Sequence, residues 1–193
     1  MVSKCYIGSF IASDFIANFL RYNITPLTTL SSFPITTVGQ ITAYFPRQGQ
    51  NPVPVLVSLY SNAKSTIDVA IYSLTKSDIV QALLDANKRG IIVRVVSDAT
   101  QSGGASQKVA IYSLLSAGIP VKIDKHSGLM HLKMSIIDNA IVTTGSYNYS
   151  EAATTENDEM FVVINDVIVA ADCQTEFDRM WDDAEHYVLA TVN

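Results

Sequence analysis

The fold this chain predicts is an α/β domain, a mixed and largely parallel β-sheet flanked by α-helices, and three observations predict it. A short apolar run (IDVAIYS), an amphipathic segment (DIVQALLDANKR) and a second apolar run (IIVRVVSD) follow one another between residues 67 and 98, the β-α-β order that builds parallel strands through right-handed crossovers. A further helical segment, SQKVAIYSLLSAG, leads into another apolar run, IPVKID, and extends the same pattern. The chain has 193 residues, 48% of them hydrophobic, enough to cover both faces of such a sheet within one domain.

Residues 1–40 read as an N-terminal extension with no assigned role. Phe10, Ile11, Phe15, Ile16, Phe19 and Leu20 fall at helical spacing, and Ser13 or Asp14 can begin an amphipathic helix. From Tyr22 to Pro46 no side chain is charged, but Thr, Ser and Pro are too frequent there for a membrane-crossing helix. Lys4 and the apolar stretch after it are interrupted at Asp14, short of a clean secretory signal. Export or membrane association is left open by this segment and is not indicated by it.

The folded domain is read as residues 41–193. ITAYF is its first strand, and Asn51-Pro52 opens a helix to about Lys64, with proline at its tolerated first position. Asp68 in IDVAIYS is placed at the solvent-facing start of its strand. Ser77 is read as the cap of the next helix and Gly90 as its stop. Arg94 is the odd residue of its strand, either on a face near substrate or paired with an acid at the sheet edge. ATQSGGASQ reads as a flexible loop around Gly103 and Gly104, a candidate wall of the binding cleft, a dimer contact or a plain linker. After IPVKID come two β-type segments, HLKMSIID and AIVTTG, separated at Asn139, and then a turn into a short helix. DEMFVVIND is the last strand, and Asp166 caps VIVAADCQTEFDRMWDDAEH, whose Val169, Phe177, Met180 and Trp181 make a packing face. Cys5 and Cys173 are too few for a disulfide framework and stand in no metal-binding spacing.

A net charge of −5 argues, taken alone, against a nucleic-acid partner. Its distribution argues the other way. Of 13 basic and 18 acidic residues, 12 and 7 lie in residues 1–150, whereas 1 and 11 lie in residues 151–193. The acid is concentrated in the tail, and the rest of the chain is mildly positive, a modest attraction for a phosphate backbone.

The chemistry is concentrated in residues 126–159. His131 and Lys133 are two apart in an alternating run, so on a strand they project from one face and set a nucleophile beside a cation. Imidazole is a competent nucleophile near neutral pH. Lys133, with Asn148 and Ser146 as hydrogen-bond donors, can stabilise charge gathering on phosphoryl oxygens, and no metal or other cofactor is needed for that. Glu159 is assigned the far nitrogen of the imidazole ring, by the logic of catalytic triads. Asp138 stands at odd spacing and is read as structural, holding the turn at Asn139. Ser146 is equally a candidate N-cap for the helix that follows. His126 is a candidate to line the cleft or an exposed loop residue beside Ser127-Gly128.

The pattern His131-x-Lys133, four residues, Asp138, six residues, Gly145-Ser146-x-Asn148, with Glu159 after it, resembles the phospholipase D superfamily signature. The likeness extends more loosely over about residues 41–183, and no family is assigned to residues 1–40. Among the superfamily's branches the chain is most similar to the short single-motif proteins, mainly bacterial endonucleases that work as homodimers. That resemblance implies hydrolysis of phosphodiesters in DNA or RNA through a phosphohistidine. Displacement at phosphorus also requires an acid for the leaving oxygen. His126 is followed two residues later by Gly128 and His186 by Val188, so there is no second His-x-Lys. A twofold homodimer with facing His131 side chains is therefore expected. A phospholipase, and a binding protein without turnover, are the rival readings.

Overall fold

The computed structural model describes residues 39–191. The helix read near Ser13, the signal-like stretch at Lys4 and most of the 1–40 extension lie outside the described residues. Eight strands form one sheet: β1 (Gln40–Tyr44), β2 (Thr66–Ile71), β3 (Ile92–Ser97), β4 (Val121–Asp124), β5 (Lys133–Ile137), β6 (Ile141–Gly145), β7 (Phe161–Asn165) and β8 (Tyr187–Leu189). Their spatial order is β1-β7-β6-β5-β2-β3-β4-β8. The sheet is mixed, as expected, but not largely parallel. Only β2–β3 and β3–β4 run parallel, and the other five pairs are antiparallel. The helical crossovers that enforce parallel pairing occur only between β2, β3 and β4, whereas β5 and β6 are joined by a tight turn that reverses the chain.

The helices are α1 (Pro52–Asn62), α2 (Ser77–Lys88), α3 (Ala99–Ser102), α4 (Ala105–Ser116), α5 (Glu151–Thr155) and α6 (Val167–Asp182). Asp166 caps α6 by accepting from Ile168 and Val169, as expected, and α1 opens at Asn51-Pro52, where Asn51 also caps it by accepting from the Val53 amide. Ser77 does not cap α2. It is the first helical residue, preceded by Lys76 at the cap, and no side chain bonds there. Gly90, at φ 89°, does end that segment. Asp98 caps α3, so ATQSGGASQ is not a flexible loop; it forms α3, and then Gly103 and Gly104 join α3 to α4. None of the described helices is long and apolar enough to cross a membrane.

Strand alternation divides the interior between the two faces of the sheet. Val69, Ile71, Val93, Val95 and Ile137 pack with Leu56, Leu83 and Leu114 from α1, α2 and α4. On the other face Ala70, Val96, Met134 and Ile136 meet Phe177 and Met180 of α6, with Val169 and Trp181 alongside. Cys173 is half-buried against the same face. Asp68 is not solvent-facing. It is 3% exposed on the α6 face, paired through both oxygens with Arg94 on the neighbouring strand, and Gln174 and Asp178 complete the cluster. The last strand is β8 rather than β7. Its three residues pair with β4 at the sheet edge, too short a run to carry an alternation signal.

Candidate active site

β2 and β5 lie side by side and antiparallel, with Ile71 opposite Lys133, so the chain leaving β2 meets the chain entering β5. The Tyr72 amide donates to the Leu132 carbonyl at 2.8 Å. His131 is therefore just outside the strand, exposed, with its ring 4.5 Å from the Tyr72 ring and tilted by 60°. Lys133 is the first residue of β5 and is buried. Its Nζ donates to the His131 carbonyl at 2.7 Å and sits 4.6 Å from the centre of the Tyr72 ring. Burial pulls this ammonium below the usual lysine value, against the opposite pull of Glu159 and Asp98. Lys133 thus reaches the backbone of His131, and both side chains pack against Tyr72, but only Lys133 belongs to the strand.

The Gly-Ser-x-Asn segment arrives from β6. Gly145 has φ 131°, and a Cβ there would lie 2.1 Å from the Met160 carbonyl oxygen, so only glycine allows β6 and β7 to pair at this point. Ser146 Oγ donates to Glu159 Oε2 and accepts from the Met160 amide at 3.0 Å. Ser146 is thus no helix cap; Ser150 caps α5, accepting from Ala153. Among the described residues Glu159 bonds with Ser146 and Asn157, not with His131 as expected. The sheet order explains this: Glu159 enters β7, two strands from β5, and the Gly145–Phe161 register sets it beside Ser146.

Asn148 is brought to the same end by its neighbour. Tyr149 N donates to the Ser73 carbonyl at 3.0 Å, and its buried hydroxyl bonds Ser135 Oγ at 2.7 Å. Ser135 also bonds the Tyr60 hydroxyl at 2.7 Å, so α1, β5 and the Asn148 segment share one buried hydroxyl network. Asn148 Oδ1 is buried with no hydrogen-bond partner in the described structure. At the opposite end of β5, Asp138 and Asn139 (φ 54° and 51°) form the two-residue hairpin turn. Asp138 is structural, as read, but its reach is longer: it accepts from the amides of Lys64, Ser65 and Thr66 and so also holds the start of β2.

The outlying candidates fare differently. Arg94 is mid-strand and paired with Asp68 of the interior strand β2 and Asp178 of α6, not with an acid at the sheet edge, and is stacked over Phe177 at 4.9 Å. Gly103 and Gly104 are helix boundaries and bring no group to His131. From the same segment it is Gln101 that reaches inward, donating to the Tyr72 hydroxyl at 3.1 Å. His126 shares an open groove of about 390 Å³ with His131, Leu129, Leu132, Arg179 and Tyr187. Its Nδ1 accepts from the Gly128 amide and its Nε2 lies 3.7 Å from the buried Asp124 carboxylate. Tyr72 and Gln101 went unassigned in the sequence. The available signal was an aromatic residue at the C-terminal end of a parallel strand, where ligands gather in α/β sheets. No group of three or more His, Cys, Asp or Glu among the described residues is arranged to hold a metal ion.

A family model described as "Cardiolipin synthase, PLD-like domain" matches residues 56–181. The mitochondrial cardiolipin hydrolase of Chlamydomonas reinhardtii is 35% identical over 121 residues; the match covers 63% of this chain and only 53% of that relative. The solved structure of a phospholipase D family member, Nuc from Salmonella typhimurium, superposes with a TM-score of 0.74 at 30% identity. It covers 80% of this chain and 99% of that one. NucT from Helicobacter pylori follows with a TM-score of 0.69 at 25% identity, covering 75% and 96%.

Proposed function

Since the chain belongs to the phospholipase D-like (PLD-like) domain family, we propose that it is a phosphodiesterase that cleaves DNA or RNA through a covalent phosphohistidine. The observation that carries this reading is the exposed His131 ring set against Tyr72, with the buried Lys133 ammonium held beneath the same backbone turn. The imidazole attacks phosphorus, and a P–N bond forms as the bond to the leaving oxygen breaks. Lys133 has one proton on the His131 carbonyl and two left for the phosphoryl oxygens, whose charge it stabilises as it grows. Asn148 adds an amide donor in this reading. Ser146 and Glu159 are bonded to each other, and the Glu159 carboxylate attracts the Lys133 ammonium. The proton for the leaving oxygen comes from His131 of the partner subunit in a twofold dimer. The same imidazole then takes a proton from the water that hydrolyses the P–N bond, restoring both rings. The near-complete coverage of the Salmonella protein and the likeness of the motif to single-motif endonucleases support nucleic acid as the substrate.

Two observations favour a second reading. Leu129 and Leu132 are exposed beside His131, and a relative carries the name cardiolipin hydrolase, which points to a lipid phosphodiester. Labelled single- and double-stranded nucleic acid and cardiolipin vesicles, each incubated in EDTA with wild type and His131→Ala, separate the two. Wild type is expected to cleave nucleic acid, and His131→Ala to lose about a thousandfold or more of that rate. Cleavage of vesicles alone would install the lipid reading. Undiminished turnover by His131→Ala would overturn both.

A further inference from the structure

We infer that Tyr72 is the positioning residue of this site, holding the His131 imidazole and the Lys133 ammonium in fixed relation through its ring. This rests on the roles proposed for His131 and Lys133. Tyr72 immediately follows β2, and it is fastened at three points: its amide to Leu132 O at 2.8 Å, its carbonyl to Gln107 Nε2 at 3.2 Å, and its hydroxyl to Gln101 Nε2 at 3.1 Å. Gln107 is itself buried and bonded to Ser97 Oγ, so the anchor is tied to the end of β3. The first two of these points fix the backbone from which the ring projects, and the third steadies its hydroxyl end.

Two groups meet that ring. The His131 ring packs on it with centroids 4.5 Å apart, which restricts an otherwise exposed side chain. The Lys133 Nζ lies 4.6 Å from the ring centre, within the range where the negative face of an aromatic attracts a cation. Burying an ammonium is unfavourable unless other groups replace its water. The groups in direct contact are the His131 carbonyl and this ring, with Glu159 and Asp98 attracting the charge from farther away. The phenol is assigned no proton transfer; its oxygen accepts from Gln101, and removing the hydroxyl in Tyr72→Phe tests this. The face of the ring does the work, and this distinguishes the inference from general acid or base catalysis by tyrosine.

The test compares Tyr72→Leu, Tyr72→Phe and His131→Ala on the nucleic-acid substrate, with folding checked by circular dichroism. Tyr72→Leu is expected to lower kcat about 10- to 100-fold while KM changes by less than about threefold, as a misplaced nucleophile does. It also moves the alkaline limb of the pH–rate profile to lower pH, since the protonated Lys133 has lost an attraction. Tyr72→Phe keeps the ring and is expected within about threefold of wild type with an unmoved alkaline limb. If Tyr72→Leu does not fold, Tyr72→Met fills the site with a flexible side chain and serves in its place. Wild-type kcat and limb in the Leu or Met variant overturn the inference, and so does a Phe variant as impaired as Leu. His131→Ala separates the failures: if it retains turnover the site itself is misassigned, and if it alone is inactive only the role of Tyr72 falls.

Discussion

Asp138→Asn removes one negative charge from the turn between β5 and β6 while leaving the backbone undisturbed, because asparagine adopts positive φ as readily as aspartate. The native carboxylate accepts from Lys64 N at 2.8 Å, Ser65 N at 2.7 Å, Ser65 Oγ at 2.9 Å and Thr66 N at 3.0 Å. Asparagine keeps one acceptor oxygen and turns its amide group toward donors that need an acceptor. Charge-assisted bonds contribute about 1.5–3 kcal/mol each when dry, but water reaches three of these four, so the whole substitution is expected to cost about 2 kcal/mol. The effect depends on pH. Burial alone would raise the Asp138 carboxyl, and the amides of Thr66, Lys64 and Ser65 outweigh it, holding the group below the ordinary aspartate value. A carboxyl depressed in the folded state contributes stability above its unfolded value of about 3.9, and that stability is lost as pH falls through the folded value. Urea unfolding of both proteins between about pH 7 and about pH 3 is the assay, with the wild-type advantage largest at neutral pH and shrinking toward acid. An advantage that is absent at neutral pH, or constant across the range, would refute the reasoning.

Gly145→Ala is expected to lose about 3–5 kcal/mol, since a Cβ 2.1 Å from the Met160 oxygen must part β6 from β7 while the residue itself is strained at φ 131°. Thermal unfolding should fall by about 10 °C or more, and an unchanged midpoint would contradict the register at Phe161. Asp68→Asn leaves the Arg94 guanidinium with an incomplete partner set and is expected to cost about 3 kcal/mol. Turnover per folded molecule should stay at the wild-type level, because the cluster lies mid-strand on the α6 face. A variant of normal stability with reduced turnover would return Arg94 to the substrate.

Much of the site was legible because it is local. His131, Lys133, Asp138, Gly145, Ser146 and Asn148 lie within eighteen residues, and spacing within one hairpin is what sequence reads best. Partners that depend on strand order were not legible. Glu159 was set against His131 by triad logic, and only the placement of β7 beyond β6 shows that it meets Ser146 instead. Asp68 looked like a strand end because nothing in IDVAIYS marks the arginine opposite it on β3. The parallel character was overestimated for a similar reason: β-α-β segments advertise themselves through helical periodicity, whereas β1, β7 and β8 join antiparallel through contacts remote in sequence. Tyr72 belongs to no spacing pattern. It is recognisable only once Ile71 and Lys133 are known to be neighbours.

That neighbour relation has a consequence for any attempt to separate the motif from its host. A peptide containing every signature position would still lack the aromatic support of Tyr72, 59 residues upstream of His131 at the end of β2, and the α1 tyrosine that reaches Ser135. What reads along the chain as a self-contained cassette is, in space, one half of a joint, and the other half is written where no signature would look for it.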